Sequence, residues 1–501
     1  MTSVSPTVII IGAGLAGLSA GVFAQMNGYQ SRIFEHHAVP GGVAAAWRRK
    51  GYLIDGGIHF IMNHKPGSKI YDLYCQVGAL PAMPMIDLPQ YGRFVDEASG
   101  KSLTITADLD RLEADLKSLF PQDAAVTECL LSAVRGLRGI DLGGSIGMSQ
   151  PPELNHWRHR LTELWSLRKV FRYFSGIFGQ SMLDFSSRAQ SPIFRQFLQS
   201  LFLPEVPIYF VAMMLALVAD GQVGLIDGSC LDFVQAIARN YLSLGGEIHY
   251  RSTVEQILVE DDRAVGVRLA DGSIHRAGAV ISAGDGYNTI FNLLGGKYAS
   301  AAIRQRYQTW QTFKPLLMIN FGINRTFPDA AVFTTIHLKE PLHIGGSPTS
   351  NLILRTFNYS QRFAPPGKSV IQAEFETEWD FWNDLQTHSR EAYEQEKERS
   401  ASEVLAWLET IYPGITGQVE MTDVATPYTT WRYTLNRRGA WEGWMIDGKK
   451  MLTSIERTLP GLDDFYMAGQ WVESWGGITT AAQSGRNAIR QMCHDDGEAF
   501  R

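Results

Sequence analysis

Three groups of residues in this sequence have types and spacings suited to chemistry. The first is Gly12-Ala13-Gly14-Leu15-Ala16-Gly17, with an acid, Glu35, 23 residues after Gly12. Gly12 permits a tight turn, Gly14 lets the backbone approach a pyrophosphate, and Gly17 allows a helix to pack closely on a strand. A carboxylate at Glu35 accepts hydrogen bonds from an adenosine ribose and disfavours a 2′-phosphate, which argues against NADP. The second group is the turn Asp55-Gly56-Gly57-Ile58-His59-Phe60, which offers a carboxylate and an imidazole. The third is the C-terminal block from Phe465 to Arg486, with Gly469-Gln470-Trp471, then Glu473, then Gly476-Gly477-Ile478.

The glycine pattern means little unless a strand precedes it and a helix follows. Thr7-Val-Ile-Ile-Ile11 is a β-branched run of the kind found in strands buried on both faces. Residues 15–27 read as a helix closed by Gly28, and residues 30–34 as a second strand ending at Glu35. That order is a βαβ dinucleotide-binding unit, with the helix N-terminus facing the phosphate charge. The chain then reads as mainly helical from 66 to 223. Short strands follow at 247–251, 254–259, 264–269 and 274–282, with turns at Asp261-Asp262 and Asp271-Gly272. Further on, strands are expected at 316–321 and 369–375, and a charged helix at 390–411. The last 45 residues return to a strand at 465–468, a glycine loop and a helix.

Pro40-Gly41-Gly42-Val43 just after the acid, the 51–60 turn and the C-terminal block together carry a family resemblance. The chain resembles the phytoene desaturase-like group of FAD-dependent oxidoreductases, which includes carotenoid desaturases, carotenoid isomerases and retinol saturases. The resemblance implies FAD as the cofactor. It implies contacts from Gly12 to Gly17, from Glu35, from Gly41, Gly42 and Val43, and from Gly57, Ile58 and His59. In the segment after Gly245-Gly246, the backbone at Val254 is implied to clamp the adenine. Gly469, Gln470, Gly477 and Ile478 are implied to set backbone amides against the pyrophosphate, ribityl chain and flavin ring. Thr426-Pro427 to Trp444 resembles the segment that precedes the last FAD strand. The sequence departs from the family at Val43, where many relatives carry arginine, and at Gln470, where an acid is common. Val472-Glu473-Ser474-Trp475 stands where relatives often have proline and glycines.

The expected fold is therefore α/β, with a Rossmann-type FAD domain drawn from residues 1–65, 225–300 and 455–501. A mixed α+β substrate domain, 66–224 and 301–454, is interleaved with it. The FAD segments hold 26 of the 48 glycines in 188 residues, while the remainder sits near the ~7% background, so the excess lies where backbone must approach a dinucleotide. The implied chemistry is hydride transfer between flavin and a hydrophobic polyene, isoprenoid or lipid substrate, in desaturation or saturation. Three alternatives stand beside it: redox-neutral cis–trans isomerisation, an amine oxidase-like reaction, and a non-catalytic prenyl-protein escort of the same fold.

Glu473 is read either as a general acid or base near the flavin or as a hydrogen-bonding residue of its loop. His59 is read either as catalytic or as a packed, hydrogen-bonded histidine. Asp55 is expected to order its turn, and Trp471 and Trp475 to stack on a polyene or to roof the flavin. The apolar stretch 194–219 is either a substrate-tunnel wall or a core helix. No acid or cysteine completes the loose pairs His59/His64 and His156/His159, so no metal is expected. No second GxGxxG appears, so no built-in nicotinamide site is expected. The net charge of −6 argues against nucleic acid. Four cysteines without a C-x-x-C pair suit a reducing, cytoplasmic setting. The longest apolar stretch, fourteen residues at 206–219, cannot cross a ~30 Å hydrocarbon core. The basic, aromatic stretch 157–172 is read as a helix that is either solvated or laid on a membrane surface.

Overall fold

The computed structural model describes residues 7–88, 90–141, 151–154, 171–445, 453, 455–473 and 476–501. A five-stranded parallel sheet lies at its centre. Strand β1 (Thr7–Ile11) is flanked by β2 (Gln30–Phe34) on one side and β4 (Ala279–Ser282) on the other. Strands β3 (Glu247–His249) and β5 (Phe465–Met467) form the edges, in the order β3-β2-β1-β4-β5. Parallel strands covered on both faces need continuous apolar sequence, and Val8, Ile9 and Ile10 are all buried. Helices α1 (Leu15–Met26), α2 (Cys230–Ser243) and α3 (Ile478–Asp495) pack with the sheet into one core. An antiparallel meander of Val254–Glu260, Arg263–Leu269 and Ile274–Arg276 lies beside it.

The second large sheet has seven strands in the order Val419–Ala425, Leu316–Ile323, Ser369–Glu376, Ser347–Thr356, Phe333–Ile344, Gln90–Asp96 and Lys101–Thr106. Its pairs are antiparallel except where Phe333–Ile344 meets Gln90–Asp96. Because side chains alternate along a strand, Ile319, Ile371, Ala373 and Phe375 face the helix Arg390–Ile411 and pack on its Val404, Trp407 and Leu408. The opposite face presents Asn320, Gln372, Arg355 and Glu374.

Three sequence expectations need correction or qualification. The interval 66–223 is mainly helical as expected, but the hairpin Gln90–Asp96/Lys101–Thr106 within it joins the seven-stranded sheet. Residues 274–282 are two strands in different sheets. The chain turns at Gly278, whose N–H donates to Thr7 O at 2.9 Å as it passes under β1. Residues 194–219 are not one helix either. Pro192–Ser200 and Ile208–Ala219 are separated by a turn containing Pro204 and Pro207, each of which lacks the N–H that a helix interior needs. Both helices are core elements, with Phe194, Phe197, Ile208 and Val211 fully enclosed. The greater part of the basic stretch 157–172, and Trp475, lie outside the described residues. Among the described residues, no helix is long and apolar enough to cross a membrane.

Candidate active site

The turn after β1 is built as its glycines require. Gly12 has φ +95° and donates to Phe34 O at 2.8 Å. A Cβ on Gly17 would stand 1.9 Å from Gly12 O, so only glycine lets α1 come this close to the turn. Gly14 differs: a Cβ there would meet nothing nearer than 4.0 Å, at Gly41 O and Gly42 Cα. The loop 41–42 lies over Gly14, and Gly41 N–H donates to Ala13 O at 2.9 Å. Val43 follows, half-buried, while Leu15 and Ala16 are buried in the first turn of α1.

Glu35 is almost enclosed. Its Oε2 accepts from Ala13 N–H at 2.6 Å and its Oε1 from His37 N–H at 2.7 Å. Burial pushes this carboxyl up, and the two backbone donors oppose the shift. Ser252 N–H donates to Glu35 O and Arg251 N–H to His37 O, so the strand that opens with Val254 starts beside the acid.

The C-terminal block meets the same loop. Gly469 has φ +102°, and a Cβ there would lie 3.6 Å from Ala16 Cβ; its N–H donates to Ser484 Oγ at 2.9 Å. Gln470 O is the close neighbour of Gly443, where a Cβ would stand 2.4 Å away. Helix α3 crosses α1 at Gly485, where a Cβ would be 2.2 Å from Ala16 O. Helix α1 begins at Gly14 and α3 at Gly477, just before Ile478, and neither first turn has a side-chain cap. Such N-termini leave backbone N–H groups free for an anion. Two uncapped helix starts and an open space at Gly14 fit a dinucleotide pyrophosphate.

The 55–60 turn is wedged beside this loop. A Cβ on Gly57 would be 2.8 Å from Ala44 Cα and 2.9 Å from Cys230 Sγ. Asp55 ties the turn to the start of α2 by accepting from Cys230 N–H at 3.0 Å and Gly57 N–H at 3.3 Å. Ile58 is buried, and His59 projects from the turn with its side chain 27% exposed. Its Nε2 lies 2.9 and 3.1 Å from the two oxygens of Glu374, a carboxylate only 3% exposed. Arg355, 1% exposed, stands behind with its Nη1 3.5 Å from the same carboxylate. Phe333 lies 5.7 Å from the His59 ring, and Phe60 lies 6.4 Å from Phe333 and 5.9 Å from Tyr91, all of them ring-centroid distances. These three aromatic side chains are half-buried.

The family model for flavin containing amine oxidoreductase matches residues 15–493. The chain belongs to this flavoprotein family. Its cofactor is FAD, and it is an FAD-dependent enzyme of the phytoene desaturase-like group. The flavoprotein is 27% identical over 353 residues to a lycopene-forming phytoene desaturase of Pseudescherichia vulneris, covering 65% of each chain. It is 22% identical over 525 residues to the chloroplastic prolycopene isomerase of Daucus carota, covering 98% of this chain and 80% of that one. An oxidoreductase structure from Methanosarcina mazei shares the fold with a TM-score of 0.61 at 16% identity, over 97% of this chain and all of that one.

Two further candidates of the flavoprotein, Glu473 and Trp471, belong to the C-terminal block. Glu473 pairs with Arg457, whose guanidinium is wholly enclosed and also reaches Glu153 at 3.2 Å. Burial pushes the Glu473 carboxyl up, with Arg457 opposing and Glu153 reinforcing. Trp471, in the same block, is buried against Trp444 and Tyr307, and Trp444 Nε1 donates to its carbonyl at 3.1 Å. Among the described residues, no group of three His, Cys, Asp or Glu has the geometry of a metal site.

Sequence reasoning passed over Glu374, Arg355, Arg457 and Glu442. The last follows Trp441 and has its Oε2 2.1 Å from where a Gly476 Cβ would stand. Burial alone, with no opposing partner, pushes the Glu442 carboxyl up to about 8. A signal for Glu374 was present: Gln372 and Glu374 are polar residues at alternate positions in a strand otherwise buried on both faces.

Proposed function

We propose that this flavoprotein holds FAD with residues 1–65, 225–300 and 455–501 and acts on a hydrophobic polyene, isoprenoid or lipid substrate. In this reading the pyrophosphate lies against Gly12, Ala13 and Gly14 and the start of α1, with Leu15, Ala16 and Gly17 beneath. Glu35 holds the ribose, Val254 borders the adenine, and Gly41, Gly42 and Val43 cover the phosphates. Gly57, Ile58, His59, Gly469, Gln470, Gly477 and Ile478 border the flavin. The substrate domain comprises 66–224 and 301–454. The observation that carries the substrate class is the group Phe60, Tyr91 and Phe333 beside His59: a mainly apolar, aromatic wall next to an imidazole. Bound FAD supplies hydride transfer at its N5. The aromatic wall excludes water and orients an extended apolar chain, while the His59 imidazole holds the proton that saturation or desaturation exchanges at carbon. Glu473, paired with Arg457, holds its loop and leaves the acid–base role to His59.

Redox-neutral isomerisation is the second reading. It is favoured by the greater span of the match to the prolycopene isomerase, 98% of this chain against 65% for the desaturase. Anaerobic incubation of the purified flavoprotein with lycopene-type polyenes in micelles, following flavin bleaching and product mass, separates the two. A change of two hydrogens with bleaching marks redox chemistry, and an isomer at unchanged mass marks isomerisation. Flavin reduction by primary or secondary amines, with polyenes inert, overturns both in favour of an amine oxidase.

A further inference from the structure

His59 has two ring nitrogens, and the structure supplies a protein partner for one. Nε2 is within hydrogen-bond distance of both Glu374 oxygens, while Nδ1 has no partner among the described residues. Burial pushes the Glu374 carboxyl up, but His59 and Arg355 outweigh burial and hold it below its ordinary value, so it is ionised. An ionised carboxylate only accepts hydrogen bonds. Nε2 must therefore carry a hydrogen, and the lone pair of the neutral ring is left on Nδ1.

The arrangement is held from behind. In the sheet, Arg355 stands opposite Gln372, with Glu374 two residues along the same face. Gln372 Oε1 accepts from Arg355 Nη1 at 3.1 Å, and Gln372 Nε2 donates to Asn320 Oδ1 at 2.7 Å and Asp55 O at 3.1 Å. Arg355 also donates to Asp55 O at 3.3 Å and Ile58 O at 3.4 Å, the backbone of the turn that carries His59. One enclosed guanidinium, lying over Phe357 at 4.7 Å, thus fixes the histidine's turn and its carboxylate partner together. Among the described residues, the ionisable groups paired with or behind the imidazole are Glu374 and Arg355, and beyond the arginine Asp55, whose carboxyl is pushed up by burial.

We propose that Glu374 is a positioning residue that fixes His59 as its Nε2–H tautomer and makes Nδ1 the atom through which His59 exchanges a proton. This rests on the functional reading above for its use in catalysis, though not for its geometry. In the neutral ring Nδ1 takes up a proton. In the imidazolium the proton on Nδ1 is the one not shared with Glu374, so it is the one released.

The test uses holoprotein labelled with ¹⁵N at histidine, with the His59 signals identified by their loss in His59→Gln. The expected spectrum of the neutral ring shows a protonated Nε2 and an unprotonated Nδ1. Glu374→Asp withdraws the carboxylate by one methylene while keeping a charge opposite Arg355. It is expected to move the His59 signals toward a tautomer mixture with thermal stability and flavin absorbance retained. Glu374→Gln, checked by the same melts, removes the charge and is expected to move them further. An Nδ1–H tautomer in the parent protein, or His59 signals unmoved in both variants, overturns the proposal. A protein that purifies without flavin overturns the functional reading instead, because the tautomer can still be read.

Discussion

Arg457 forms an ion pair with Glu473 of the loop joining β5 to α3, with the guanidinium enclosed and the carboxylate partly exposed. Glu153 also binds this arginine, through its side chain and through Arg457 N–H. Glu473→Gln leaves a buried cation half-compensated, and removing one partner of such a pair costs roughly 3 kcal/mol. The expected outcome is a lower melting temperature and weaker flavin retention, with turnover per bound flavin close to the parent. Thermal melts and flavin-normalised rates check this. Unchanged stability with lost turnover would return Glu473 to a role in the chemistry.

Glu35 joins the glycine loop to the second strand by accepting from Ala13 N–H and His37 N–H. Glu35→Ala orphans both donors and removes the proposed ribose contact. Each unsatisfied buried group costs about 1–3 kcal/mol. FAD affinity is expected to fall on the order of 10- to 100-fold, since about 1.4 kcal/mol is a factor of ten. Fluorescence titration of the apoprotein with FAD reads this directly.

Glu442 gives a pH signature. Burial pushes its carboxyl up to about 8 from the ordinary glutamate value of 4.5, so the native state binds this proton more tightly than the unfolded chain. Its stabilising contribution is complete below about 4.5 and is lost as pH rises through about 8. Glu442→Gln abolishes that dependence. The melting temperature of the variant minus that of the parent is expected to grow between these limits and level off above them. Melts across that range check the trend, and a flat difference contradicts it.

The glycine loop, α1 and the acid were legible because each is a local pattern: an apolar run, glycines at fixed spacing, and a carboxylate one βαβ unit later. The helix Arg390–Ile411 was legible in its charge pattern for the same reason. The partner of His59 was not, because Glu374 lies 315 residues away and reaches it only through the register of the seven-stranded sheet. Residues 274–282 read as one strand because alternation reports the faces of a strand but not which sheet it joins. The 90–106 hairpin was readable in its alternating residues and the Ser99-Gly100 turn, yet it was masked by the helical sequence around it. The Arg457 cluster has no sequence signature: Glu473 stands 16 residues on without any motif spacing, and Glu153 is 304 residues away.

Whether the dinucleotide lies against Gly14 is decided most directly by FAD titration of Gly14→Ala beside its melting curve. A Cβ at Gly14 meets no protein atom nearer than 4.0 Å and the backbone there has φ −72°, so the apoprotein is expected to melt like the parent. The methyl would occupy space assigned to the pyrophosphate, so FAD binding is expected to weaken at least tenfold. Gly17→Ala is the contrasting control. Its Cβ would stand 1.9 Å from Gly12 O, so the fold itself is expected to suffer. Parent-like FAD affinity in a stably folded Gly14→Ala variant would contradict the placement of the cofactor.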